Sequence, residues 1–172
     1  MKKILIKNKK FRFLLLVQWL LENKKPCKAV DVGGGKGLLA YLLNQNEWEV
    51  RVVDPLFQEL PLKYTDLNKQ KIKIPESEKV NRISKPFIKE MIKDYDLIIG
   101  LHAHGVNMKI IEECAEKQRN FVLLPCCVID EPIILQRDIN WLNSLEDYGK
   151  SLGLDIKRFE LNFKGQNVGI YN

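Results

Sequence analysis

The sequence predicts one α/β domain built on a doubly wound, mostly parallel sheet, with helices on both faces and an antiparallel strand pair at the C-terminal end. Three observations predict it. Short apolar runs of strand length alternate with stretches whose apolar residues recur at helical spacing, the pattern of a parallel sheet with crossover helices. A glycine-rich turn, Gly33 to Gly37, joins the first such strand to the helix after it. The residue types that carry chemistry lie just after strands, where open parallel sheets place their ligands. A length of 172 residues fits one core, so residues 1–172 are read as one domain, with 1–27 as a leading basic amphipathic helical segment.

The elements follow in order. Lys10 to Asn23 reads as an amphipathic helix, with Phe11, Leu14, Leu15, Gln18 and Leu21 at helical spacing, ended by Asn23-Lys24-Lys25-Pro26. Lys28 to Val32 is a short buried strand. Lys36 to Asn44 is helical through Leu38, Leu39, Leu42 and Leu43. Glu49 to Val53 is the second strand and ends at Asp54-Pro55. Between Leu56 and Ser84 the pattern is weakest, with a polar edge-like strand expected over Lys79 to Ile83. Pro86 to Lys93 is a short helix with proline near its first turn. Asp96 to Leu101 and Asn120 to Cys126 are apolar strands flanking a helix over Asn107 to Lys117. Asp138 to Leu152 is a helix stopped near Gly153. Leu154 to Asn162 and Val168 to Tyr171 complete the set as the antiparallel pair.

Composition bounds the function. Apolar residues make up 45% and charged residues 29%, a globular balance. The net charge of +6 suits a polyanionic partner, because phosphate contacts release counterions, although a Lys-rich composition also has non-functional origins. The cysteines, Cys27, Cys114, Cys126 and Cys127, show no secreted-type framework, and a reducing cytoplasm is the expected location. Phe13 to Val17 has the look of a signal-peptide core, but Lys7, Lys9, Lys10 and Arg12 crowd it, Gln18 interrupts the run, and no small-residue cleavage site follows. No run approaches the roughly 20 apolar residues of a membrane span, so no membrane partner is expected.

The stretch Val30-Asp31-Val32-Gly33-Gly34-Gly35-Lys36-Gly37 carries the functional argument. Glycines between a strand and a helix allow positive φ and a close ligand approach. The dinucleotide fingerprint G-x-G-x-x-G/A would need its last small residue at Leu38 and fails. The observed spacing is G-x-G-x-G behind an acid, and a zwitterionic amino-acid ligand wants such a carboxylate for its ammonium. Asp54, at the end of the next strand, is placed to accept from both hydroxyls of a ribose. The bland alternative is a tight turn with no cofactor.

These residues resemble the class I S-adenosylmethionine-dependent methyltransferases, whose fold is Rossmann-like. Val30 to Gly37 is similar to their first motif, and Val52-Val53-Asp54 to their second acidic position, with the element order matching over nearly the whole chain. The resemblance implies S-adenosylmethionine as cofactor, with Asp31, Gly33, Gly34, Gly35 and Gly37 around its methionine part and Asp54 at the ribose. It also implies an adenine contact near the end of the third strand, at Ile83 or Ser84, and a lining position at Leu101.

Two further strand ends carry reactive types: Gly100-Leu101-His102-Ala103-His104-Gly105 and Leu124-Pro125-Cys126-Cys127. With Gly35-Lys36-Gly37 they resemble the methyltransferase-like 25 proteins and the Trm13-type tRNA 2′-O-methyltransferases, which carry a His-x-Cys-Gly segment and a later Cys-Cys. This chain departs by having His104 at the Cys position, by its shorter length and by lacking their zinc-finger segments. Three readings stay open. His102, with His104 and Cys126, forms catalytic or substrate-positioning machinery, since an imidazole of pKa about 6.5 suits proton removal near neutrality. Alternatively His102, His104, Cys126 and Cys127 bind zinc, against which stand the adjacency of the cysteines and the absence of C-x₂-C spacing; no metal is expected on that account. Or the four are packed structural residues. A covalent role for Cys126 lacks the acid-x-Pro-Cys segment expected after the preceding strand.

Lys2, Lys3, Lys7, Lys9, Lys10 and Arg12 crowd the first twelve residues, and a second basic region runs from Lys69 to Lys93. The expected function is an S-adenosylmethionine-dependent methyltransferase acting on RNA (tRNA or rRNA) through the basic N-terminal helix, with no DNA partner expected and no oligomeric state fixed by the sequence. The alternatives are a non-catalytic methyltransferase-fold module, suggested by the missing Asn-Pro-Pro or Asp-Pro-Pro type signature after the fourth strand, and a small-molecule methyltransferase.

Overall fold

The computed structural model describes residues 7–132 and 140–172. Nine strands and four α-helices follow one another as α1 (Arg12–Asn23), β1 (Lys28–Val32), α2 (Leu38–Asn44), β2 (Glu49–Val53), β3 (Lys63–Thr65), β4 (Lys71–Lys73), β5 (Arg82–Ile83), β6 (Leu97–Leu101), α3 (Asn107–Lys117), β7 (Asn120–Leu124), α4 (Trp141–Ser151), β8 (Lys157–Glu160) and β9 (Val168–Tyr171) among the described residues. Seven strands form one sheet in the order β5-β2-β1-β6-β7-β9-β8. The first five lie parallel and β9 runs antiparallel to both β7 and β8. The strand order reverses between β1 and β6, so the crevice at the carboxyl ends opens there.

Central strands buried on both faces are apolar throughout rather than alternating. All five residues of β6 are buried, as are the last four of β7. One face of the sheet is covered by α1 and α2, where Leu16, Leu20, Leu39 and Leu43 are fully buried with Trp48. The other is covered by α3 and α4, through Ile110, Ile111 and Leu145, with Ile156 packed on α4 from the segment before β8. Asp31 sits inside this apolar frame, in register with Val52 on one side and Ile99 on the other.

The differences from the predicted elements have local causes. The first helix opens as a 3₁₀ turn, Lys9–Phe11, capped by the Asn8 side chain accepting from the Lys10 N–H. The second helix begins at Leu38 instead of Lys36, because Gly37 is its N-cap at φ +81. The segment over 86–93 forms a 3₁₀ helix, Lys89–Asp94. The expected edge strand shrinks to Arg82–Ile83, parallel to β2. The hairpin β3–β4 has no counterpart in the sequence reading. It is turned by Asp66, whose Oδ1 accepts from the Asn68 and Gln70 N–H groups at 2.9 and 2.7 Å. Asp138 and Ile139, at the start of the predicted last helix, lie outside the described residues, as do Lys2 and Lys3. Among the described residues no helix is long and apolar enough to cross a membrane.

The C-terminal strands and the N-terminal helix lock together. Trp19 of α1 stacks on Phe159 of β8 with ring centroids 4.3 Å apart and packs edge-on against Tyr171 of β9 at 5.1 Å. The Phe159 ring lies over Gly169, where an added Cβ would meet the ring and stand 2.5 Å from the Leu123 carbonyl oxygen. Gly169→Ala is therefore expected to destabilise the fold by about 3 kcal/mol, the upper end for overpacking, since backbone cannot yield as a side chain can. Urea unfolding measures it, and a loss below about 0.5 kcal/mol would contradict the packing described.

Candidate active site

Five parallel strands bring their carboxyl ends to one edge: the glycine loop after β1, Asp54 after β2, Ser84 after β5, His102 after β6 and Pro125 after β7. The glycine loop is shaped by hydrogen bonds and by a lack of side chains. The Gly33 N–H donates to the Val53 carbonyl at 2.8 Å, and the Gly37 N–H to the Gly34 carbonyl at 2.9 Å. Gly33 and Gly35 adopt φ of +68 and +53, in the left-handed region where glycine is the default. Gly34 is required for a different reason. An added Cβ there would collide with Asp31 Oδ2 and lie 2.7 Å from its Cγ.

Asp31 is 1% exposed and lies directly beneath this loop, its Oδ2 without a hydrogen-bond partner. Burial, with the nearby charge of Asp54 adding to it and Arg82 opposing, raises its pKa from 3.8 to about 7. Asp54 holds the outer part of the loop. Its Oδ2 accepts from the Gly35 N–H at 2.9 Å and its Oδ1 from the Leu56 N–H at 2.8 Å. Arg82 completes the frame by donating from Nη2 to the Gly35 carbonyl at 2.9 Å. Beyond Leu56 a cleft of about 590 Å³ opens, lined among others by Phe57, Leu62, Ile74, Val80 and Arg82. That volume lies in the range of small-molecule sites. The cleft sits on the Asp54 side of the crevice, away from the histidines.

The β6 and β7 ends form the other side. The His102 N–H donates to the Leu124 carbonyl at 2.9 Å, carrying the parallel ladder one step past the strands. His102 itself holds φ at +55, a left-handed conformation uncommon outside glycine. Its Nε2 lies 3.2 Å from the Gln166 carbonyl, so Nε2 donates and the lone pair falls on Nδ1. Burial lowers its pKa from 6.5 against that carbonyl, with the charges of Lys9, Arg12 and His104 acting in the same downward direction, so the ring is neutral at pH 7. Ala103 follows, its Cβ 3.1 Å from the point where Gly33 would carry one, so the two loops touch.

His104, Cys126 and Cys127 meet at one point. His104 Nε2 lies 3.1 Å from Cys126 Sγ and 3.5 Å from Cys127 Sγ, and the two sulfurs are 3.4 Å apart. Burial and the neighbouring Cys127 raise the Cys126 thiol from 9.0 to about 11. His102 is not part of this cluster, which holds only His104 and the two cysteines among the described residues.

Of the predicted cofactor residues, the structure brings Asp31, Gly33, Gly34, Gly35 and Asp54 together. Gly37 is buried, an added Cβ lying 3.3 Å from Val52, and serves the start of α2. Leu101 is buried in the core cluster on the α1–α2 face. Ser84 is exposed just past β5. Sequence reasoning missed Glu131 and Asn107. Helix α3 begins after Val106, which has no capping side chain. Glu131 caps it from the Cys-Cys loop: Oε1 accepts from the Asn107 N–H and from Asn107 Nδ2, both at 2.8 Å, and Oε2 from the Met108 N–H at 3.2 Å. Asn107 Nδ2 also donates to the Ala103 carbonyl at 2.9 Å. One carboxylate thus ties the His102–Gly105 loop to the Pro125–Glu131 loop. Glu131→Ala is expected to lower stability by about 1–3 kcal/mol, and Glu131→Gln, which keeps one acceptor, by less. Calorimetric unfolding of the two variants checks the order.

No family model matches the chain. Over 106 residues, 60% of its length, it is 33% identical to the Caenorhabditis briggsae protein named "Probable tRNA (uracil-O(2)-)-methyltransferase" and, over the same length, 32% identical to its Caenorhabditis elegans counterpart. The matched segment spans 18% of each of those relatives. Among solved structures, the precorrin-6y C5,15-methyltransferase of Geobacter metallireducens aligns over 99% of this chain and 89% of its own, with TM-score 0.53 and 12% identity. The 1,6-didemethyltoxoflavin N1-methyltransferase of Burkholderia thailandensis, solved with S-adenosylhomocysteine, aligns over 95% of this chain and 77% of its own at TM-score 0.53 and 12% identity. With the strand order and the antiparallel β9, these likenesses establish the fold as the Rossmann-like fold of the class I methyltransferases.

Proposed function

We propose that this chain is an S-adenosylmethionine-dependent methyltransferase acting on RNA of the tRNA or rRNA class. The observation that carries the reading is the pairing of two carboxylates on one glycine loop: Asp31 buried beneath it and Asp54 bonded to its Gly35 N–H. A negative charge under the loop suits the ligand's ammonium. Each Asp54 oxygen, already accepting one N–H, keeps a second lone pair for a ribose hydroxyl. The cleft beyond Leu56 accommodates the adenine end. The resemblance over 106 residues to proteins named as tRNA methyltransferases supports RNA as acceptor.

The chemistry asks little covalent help of the protein. The sulfonium supplies an activated methyl group, and the chain's part is to align donor and acceptor and exclude water. His102, neutral with its lone pair on Nδ1, is suited to take the acceptor's proton. The N-terminal segment supports a polyanionic acceptor: Lys9 and Arg12 lie close enough to His102 to act on it electrostatically, and Lys9 does so on Cys126. Lys7 is fixed in that place by backbone bonds to Asn162 and Lys164.

Calorimetric titration with S-adenosylmethionine tests the cofactor, and no binding at millimolar ligand would overturn the proposal. Transfer of labelled methyl from the cofactor into separated RNA, protein and small-molecule pools tests the acceptor, with label expected in RNA. Binding without transfer to any pool favours a non-catalytic module, and label in small molecules alone a small-molecule enzyme.

A further inference from the structure

The three side chains His104, Cys126 and Cys127 remain unused by methyl transfer as derived above. They are drawn from two different loops and converge on one point. Their three ligand atoms stand 3.1, 3.5 and 3.4 Å apart. Two thiolates and an imidazole around one tetrahedral zinc-class ion, with metal–sulfur bonds of about 2.3 Å and a metal–nitrogen bond near 2.0 Å, stand about 3.8 Å (S to S) and about 3.6 Å (S to N) apart. Each side of the observed triangle is within about 0.5 Å of that one.

Adjacent cysteines are an unusual source of two ligands, because successive side chains of an extended strand point to opposite faces. Here the strand has ended at Leu124, and Cys126 and Cys127 lie in the loop after it, where both sulfurs reach His104. The two loops are fixed relative to each other before any ion arrives. Glu131 caps α3 across them, the His102 N–H bonds to the Leu124 carbonyl, and Gly105, at φ +68, leaves room for Asp130, whose Cβ would otherwise meet its own at 2.9 Å. His104 is exposed and both cysteines are half-buried, so one side of the triangle faces solvent. Three protein ligands with an open fourth position is the pattern of reactive zinc sites, as against closed four-ligand structural ones.

We propose that His104 Nε2, Cys126 Sγ and Cys127 Sγ form a binding site for a zinc-class divalent cation, with a fourth position open to water or to an oxygen of a bound substrate. Soft thiolates with an imidazole select such ions over magnesium or calcium, which take oxygen ligands. The site is independent of the methyl-transfer reading, since none of its ligands is required to hold the cofactor.

The test uses the full chain, reduced, chelator-stripped and kept anaerobic. Titration with Zn²⁺ against a chromophoric indicator is expected to show one equivalent bound with submicromolar affinity. Co²⁺ is expected to produce a thiolate charge-transfer band in the near ultraviolet, reduced in Cys126→Ser and Cys127→Ser and absent in the double variant. His104→Ala is expected to weaken Zn²⁺ at least tenfold. A second measurement needs no variant: Zn²⁺ should protect Cys126 and Cys127, and not Cys27, from iodoacetamide, as mapped by mass spectrometry. No Zn²⁺ binding by the wild-type chain, a Co²⁺ band that survives in the double variant, or equal alkylation with and without Zn²⁺ would each overturn the proposal.

Discussion

Replacing Asp54 by alanine is expected to cost S-adenosylmethionine affinity by about 100-fold or more, because hydrogen bonds to a charged group contribute roughly 1.5–3 kcal/mol each. The carboxylate does two jobs at once. It accepts from the Gly35 and Leu56 N–H groups, which sets the mouth of the glycine loop, and in the proposed function its remaining lone pairs accept from the ribose hydroxyls. Asp54→Asn is expected to fall nearly as far, since its amide must turn one donor toward a backbone N–H. Calorimetric titration of both variants measures the effect. An alanine variant within threefold of wild type would remove Asp54 from the cofactor site.

The second large effect is a pH dependence centred on Asp31. Its folded pKa is about 7, and its unfolded value is that of an ordinary aspartate, 3.8. The folded protein therefore binds this proton more tightly than the unfolded chain does. Stability from this group is fully present below the unfolded pKa and is lost as pH rises from about 4 to about 7, on the order of 4 kcal/mol in all. Urea unfolding from pH 4.5 to 8 should show wild type losing stability relative to Asp31→Asn, whose neutral amide has no proton to lose. Parallel curves would contradict the burial of a titrating carboxyl under Gly34. Ligand binding runs the other way. An ammonium above the loop favours the carboxylate, so S-adenosylmethionine affinity should rise with pH up to about 7. It should then decline as the ligand's own amine, with pKa near 8, deprotonates. In Asp31→Asn the rising limb should be flat.

Much of this architecture was legible because it rests on local pattern. β1 and β2 fall at Lys28–Val32 and Glu49–Val53 as the apolar runs predict, and α3 at Asn107–Lys117. The loop glycines and both carboxylates were legible for the same reason, since their spacing is set within one strand–turn–helix unit. What stayed hidden depends on partners distant in sequence. The β3–β4 hairpin alternates lysine with half-buried residues and has no apolar run to mark it. Glu131 caps a helix 24 residues before it, and nothing around Val106 announces that the cap comes from elsewhere. The convergence of His104 with two adjacent cysteines required knowing that β7 ends at Leu124, not Cys126 as predicted.

The stacking of Trp19 on Phe159 and Tyr171 has a consequence for how the chain acquires its structure. Helix α1 finishes its packing only against β8 and β9, and the Lys24 ammonium donates to the carbonyl of Asn172, 148 residues away in sequence. Contacts of such long sequence separation slow folding, because a large loop must close before they contribute. Trp19 therefore gains its stacked partners only after the sheet between them has formed.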